Sequence, residues 1–210
     1  MLGFIKKDII MLKSNFKTLA ILIVVYIIMA FKGIMDISFI LPFISVMIMI
    51  STFSYDEFNK WNSYACTLPN GRKNVVKSKY ISTLLMIIIT TFIVGLASFI
   101  ITYTQTQKVN YEEILSIILG TSFATILLES FMYPTIYKFG VEKARIGIFV
   151  SVFGIAIIGG LLSNIFNFGK VLELLKLLEN YIIIIIPIIM VVMLYISYKI
   201  SERINLNKEF

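Results

Sequence analysis

Few residues in this chain are of the types that carry covalent chemistry. Its 210 residues include no histidine and a single cysteine, Cys66. A Ser-His-Asp or Cys-His nucleophile therefore cannot be assembled. A disulfide within the chain is excluded, as is a metal or redox centre built from His and Cys. No G-x-x-x-x-G-K-[ST] occurs, so there is no P-loop to cradle a nucleotide's phosphates. Asp8, Asp36 and Asp56 lie outside the long apolar runs, so paired intramembrane aspartates are missing too. The sequence predicts a chain that is not an enzyme in its own right and holds no metal.

What remains is the chemistry of docking, concentrated in residues 53–80, FSYDEFNKWNSYACTLPNGRKNVVKSKY. Ser54 and Glu57 are three apart, the spacing of a capping box that starts a helix. Phe58, Trp61, Ala65 and Leu68 then recur at helical spacing as one apolar stripe. Asp56, Glu57, Asn59 and Lys60 fall largely off it, and Leu68-Pro69-Asn70-Gly71 ends the helix and turns the chain. An amphipathic helix over 54–68 that presents acidic and aromatic side chains is a docking handle, with Asp56, Glu57, Phe58, Lys60, Trp61, Tyr64 and Leu68 as its contacts. Phe139, Gly140, Glu142 and Lys143 form a second short charged turn, either a further docking contact or an ordinary loop.

Glu129 is the one acid deep within an apolar run. It precedes Lys138 by nine residues, so it lies ~13 Å from the end of a helix that rises 1.5 Å per residue. Such a group faces protein or water rather than lipid. It is either a contact in a translocation pathway or an internally bonded structural residue.

These residues must be positioned by membrane helices. The chain is 59% hydrophobic with mean hydropathy +0.92, against about 45–50% apolar in soluble domains. Apolar runs at 17–32, 37–53, 80–103, 114–137, 144–163 and 181–200 predict six transmembrane helices in one transmembrane domain, 1–210. Pro42, Pro134 and Pro187 sit inside three of them. Gly147, Ser151, Gly154, Gly159 and Gly160 give the fifth a small-residue surface, suited to packing within the chain or across a dimer. Fifteen of the nineteen Lys and Arg residues fall at the termini and in the 54–80 and 138–145 loops, which places both termini in the cytosol. That distribution also explains the +7 net charge without nucleic acid. Residues 1–17, with Leu2, Ile5, Ile9, Leu12 and Phe16 on one face and lysines on the other, predict an interfacial helix on anionic lipid, or else a basic flank of the first span. Residues 171–180 predict a short external amphipathic helix. The fold class is thus an all-α, multi-pass membrane protein.

The segments Phe53-Ser-Tyr-Asp56-Glu57, Leu68-Pro69-Asn-Gly-Arg72-Lys73-Asn-Val75-Val76-Lys77-Ser78-Lys79-Tyr80 and Pro134-Thr-Ile-Tyr-Lys138-Phe139-Gly140-Val-Glu142-Lys143-Ala-Arg145 resemble the signatures of small bacterial type-2 ABC exporter permeases. The resemblance covers nearly the whole chain and extends to permeases that export amphipathic cytolytic peptides such as phenol-soluble modulins. It implies a location in the bacterial cytoplasmic membrane and a separate ATPase subunit that binds ATP and Mg. It also implies a homodimer, or a heterodimer with a similar permease. The 54–68 segment would be the coupling helix seated in the ATPase, with Trp61 and Phe58 as anchors and Asp56, Glu57 and Lys60 orienting it. Arg72 and Lys73 would touch lipid phosphate or the ATPase.

The expected function is therefore export of a peptide or other amphipathic substrate. The alternative is a non-transporting immunity or sensor protein that binds a peptide directly and protects without an ATPase. A passive channel or ion-coupled carrier fits poorly, because one buried carboxylate has no acid–base partner across the spans.

Overall fold

In a computed structural model of the chain, residues 2–14, 37–106, 111–147 and 179–208 are described, with residues 21, 24–26, 28, 29, 32 and 150. Most of the spans expected at 17–32 and 144–163, the small-residue surface of the latter beyond Gly147, and the external helix at 171–180 except its last two residues lie outside the described residues. The elements are α1 (Leu2–Ser14), α2 (Ile37–Phe58), α3 (Trp61–Cys66), α4 (Gly71–Thr106), α5 (Tyr111–Phe139) and α6 (Glu179–Asn207). Among the described residues there is no strand.

Three of these helices have a segment long and apolar enough to cross a membrane: Gly71–Thr104, Tyr111–Phe139 and Ile183–Asn207. Their outward faces carry runs such as Ile88, Phe92, Leu96 and Phe99 on α4, and Ile184, Ile188, Val191 and Tyr195 on α6, all exposed. Apolar area left open costs about 25 cal/mol per Å² in water, and a lipid solvent removes that cost. Pro42, Pro134 and Pro187 lie inside α2, α5 and α6. Buried threonines at 90, 121 and 125 donate to carbonyls three or four residues back, which satisfies the hydroxyl within its own helix.

The core gathers at one end of the bundle, the end that carries α3. Met49 and Phe53 of α2, Tyr80 of α4, and Tyr133 and Tyr137 of α5 form it, with Tyr198 of α6 packed against it. Four ring pairs lie 5.1–5.6 Å apart in tilted or edge-to-face contact, a geometry that adds about 0.5–1.5 kcal/mol per pair to burial. The Tyr80 hydroxyl is bonded to Ser197 and Ser201 of α6 at 2.6 and 2.9 Å, and Tyr133 shares a hydrogen bond with Thr83.

Two expectations about residues 54–68 need correction. No helix starts at Ser54: α2 continues through it to Phe58, and the Ser54 hydroxyl donates to the Ile50 carbonyl of its own helix, 3.0 Å away. The single helix expected over 54–68 is divided at Asn59-Lys60, where Lys60 takes a left-handed φ of 51°. The apolar run of α2 simply carries the preceding helix past the capping signal.

The short α3 folds back on α4. A Cβ at Gly71 would lie 1.7 Å from the Ala65 carbonyl oxygen, a backbone atom that cannot yield locally. Gly71→Ala therefore has to push α3 off α4, a loss on the order of 3 kcal/mol. A thermal midpoint in detergent unchanged from wild type would show that α3 does not sit this close.

Candidate functional site

The end of α2 and the turn after α5 are adjacent in space. α5 ends at Phe139, and Gly140 takes φ +86° while its N–H donates to the Ile136 carbonyl at 2.9 Å. This is the left-handed closure that glycine provides at a helix C-terminus. Residues 141–147 then form another helical stretch. Its first amide, Val141 N–H, donates to Glu57 Oε2 at 3.0 Å across 84 residues of sequence. Arg145 donates to the Ser54 hydroxyl at 2.9 Å. A helix leaves its first amides without intrahelical acceptors, and here α2 supplies one. Between the two segments is a cleft of about 190 Å³, with Glu57, Lys60, Ser63, Gly140 and Asn205 among its lining residues.

Around this junction stand the exposed aromatics Phe58 (86% exposed), Tyr64 (58%) and Phe139 (54%). Glu57, Lys60, Glu142 and Lys143 are exposed with them. The other expected contacts are turned inward. Trp61 lies edge-on to Phe4 of α1 at 5.8 Å, and Leu68 packs against the buried cluster of Phe4, Ala65 and Val75. Asp56 is 2% exposed. The apolar stripe read as Phe58, Trp61, Ala65 and Leu68 loses Phe58, because the break at Lys60 rotates it away from the rest.

Asp56 belongs to a cluster that sequence reasoning missed. Lys7 and Asp8 of α1, Asp56 of α2 and Lys79 of α4 form a closed ring of ion pairs. Lys79 Nζ is 3.0 Å from Asp8 and 2.8 Å from Asp56; Lys7 Nζ is 3.2 Å from Asp8 and pairs directly with Asp56. Two cations and two anions leave the ring neutral. Lys79 also donates to Thr52 at 3.1 Å, and Ser82 donates to Asp8 at 3.3 Å. Only Lys7 has appreciable exposure, at 17% of its side chain. A buried charge costs several kcal/mol unless it is paired, and each of the four has two partners of opposite charge in the ring. The available signal was weak: Asp8 is the lone acid in a lysine-rich helix, and Lys79 lies three residues before Ser82 on a helix that otherwise turns apolar.

The ring also fixes which side of α1 meets the rest of the protein. Phe4 and Asp8 face the protein, while Leu2, Ile9 and Ile10 are exposed beside Lys6 and Lys13.

Glu129 is fully buried, and Ser45 of α2 donates to its Oε1 at 3.3 Å. In this conformation it joins α5 to α2.

Glu57→Ala would strand the Val141 N–H, at about 1–3 kcal/mol. The expected reading is faster hydrogen exchange at residues 141–144, with Glu57→Gln restoring protection. Unchanged exchange in the alanine variant would rule out the bridge.

No curated protein and no solved structure matches the chain. A family model does, over residues 3–205, and its description is ABC-2 family transporter protein. Permeases of that family work with an ATPase subunit, and the apolar helices and the two joined charged segments described above fit that division of labour. On this match the chain belongs to the ABC-2 family of transporter proteins, as a membrane-embedded transport subunit.

Proposed function

We propose that the chain is the permease half of an ATP-driven exporter of peptides or other amphipathic molecules, with ATP and Mg bound by a separate ATPase chain. Six spans with both termini in the cytosol, and a pair of permeases, identical or similar, complete the unit. The observation that carries this reading is the Glu57–Val141 bridge. It makes one surface of two segments distant in sequence, each resembling a permease signature, and leaves Phe58, Tyr64 and Phe139 uncovered there. Exposed aromatics ringed by mixed charge are the composition of a protein-binding patch, since buried aromatic anchors supply most of the energy of such interfaces. The family membership supports the transport role. The peptide class is supported by resemblance alone.

The test is copurification of the intact permease with the ATPase encoded beside it, followed by ATP hydrolysis in nanodiscs. Association is the expected result, with hydrolysis stimulated by the permease. If the two folded proteins do not associate, the exporter reading falls, and a peptide-binding protein that acts without ATP takes its place.

A further inference from the structure

The ring of Lys7, Asp8, Asp56 and Lys79 has a second set of contacts through one of its members. The Lys7 ammonium lies 4.6 Å from the centroid of the Trp61 ring while it pairs with Asp8 and Asp56. Lys7 thus touches α3 as well as the ring. Trp61 is held from the other side by Phe4, and Ala65 and Leu68 of α3 pack with Val75 of α4. Asp56 is two residues from Phe58, the most exposed aromatic of the candidate docking surface.

We propose that Lys7 is a positioning residue that yokes α3 to the buried aspartate pair, so that α1, α3 and the adjoining ends of α2 and α4 move as one body when an ATPase pulls on the docking surface. The proposal rests on the permease reading above. Its physical basis is that the same residues could be held together by apolar packing at no loss of stability. Buried ion rings are poor stabilisers relative to hydrophobic replacements, and their best-attested use is to fix one register. A charge ring tolerates little separation, because parting any pair strands a buried ion. An apolar contact would slide. The cation–π contact of Lys7, worth about 0.5–2 kcal/mol, extends that register to α3.

Spin labels test this without knowledge of the substrate. In a Cys66→Ser background, cysteines replace Lys6 on α1, Thr67 after α3 and Glu112 at the far end of α5, all exposed positions. Pairwise distances are measured in the permease–ATPase complex, nucleotide-free and after vanadate trapping. The 6–67 distance should stay fixed, while 6–112 and 67–112 shift together. In Lys7→Met the 67–112 shift should persist, the 6–112 shift should be lost and 6–67 should change; Lys7→Arg should restore the wild-type pattern. A changing 6–67 distance in the unmodified ring, or a shared shift that survives Lys7→Met, overturns the yoke. So does a complex that forms but shows no 67–112 shift. Absence of any complex overturns the permease reading as well, and copurification reads that outcome separately.

Discussion

Lys79→Met lowers the stability of the purified protein by about 3–5 kcal/mol, the range for breaking a buried ion pair by removing one partner. The methionine fills nearly the volume of the lysine stem, so the loss is electrostatic. Lys79 is 1% exposed and bonds Asp8, Asp56 and Thr52. Without it, two buried carboxylates share Lys7 alone, and one negative charge is left in the core with no counter-ion. Adding Asp8→Asn to Lys79→Met restores neutrality and leaves Lys7 with Asp56, so the double variant recovers part of the loss. A coupling energy of about 0.5–3 kcal/mol between the two sites is the expected range for residues in one network. Denaturation in detergent, followed by the single tryptophan, Trp61, measures all four members of the cycle. A single variant as stable as wild type would mean that the ring does not form.

That result bears on what the sequence could reveal. The apolar runs that became α4, α5 and α6 were legible because hydropathy over ~20 residues is a strong signal. Their ends were not: α4 begins at Gly71 rather than at Tyr80, since the basic residues Arg72, Lys73 and Lys77 are as compatible with a helix as with a loop. Residues 54–68 take a different internal geometry from the one their spacing suggests. Ser54 and Glu57 have the spacing of a cap, yet the apolar sequence before them continues the helix, and Glu57 caps a different one at Val141. Asp56 and Glu57 are neighbours of like charge that local sequence cannot separate. One turns inward to a lysine pair and the other outward, because successive helical positions differ by about 100°. The inward direction is decided by Lys79 and by α1, both distant in sequence. Long-range pairing is what periodicity lacks, and for the same reason the contacts of Trp61 with Phe4 and Lys7 were not legible.

The second large effect is therefore expected at Phe58 and Tyr64, two of the contacts the sequence singled out, rather than at Trp61. Phe58→Ala with Tyr64→Ala should weaken the complex with the ATPase by about a hundredfold or more, since truncating an aromatic anchor costs about 2 kcal/mol or more and each 1.4 kcal/mol is tenfold. Both side chains are more than half exposed, so their removal opens no cavity and should leave the unfolding midpoint near that of wild type. Trp61→Ala makes the contrast. Its ring fills the space between Phe4, Lys7 and Tyr64, and its loss should destabilise the α1–α3 contact before it weakens association. Titrating the ATPase against nanodisc-embedded variants and unfolding the same samples separates the two quantities. The docking surface is placed correctly if affinity falls at positions 58 and 64 with stability intact, and stability falls at position 61. Should Trp61→Ala abolish binding in a protein of wild-type stability, then α3 must lift off α1 to expose its tryptophan in the complex. The surface around Phe58, Tyr64 and Phe139 would then be lipid-facing rather than a docking face.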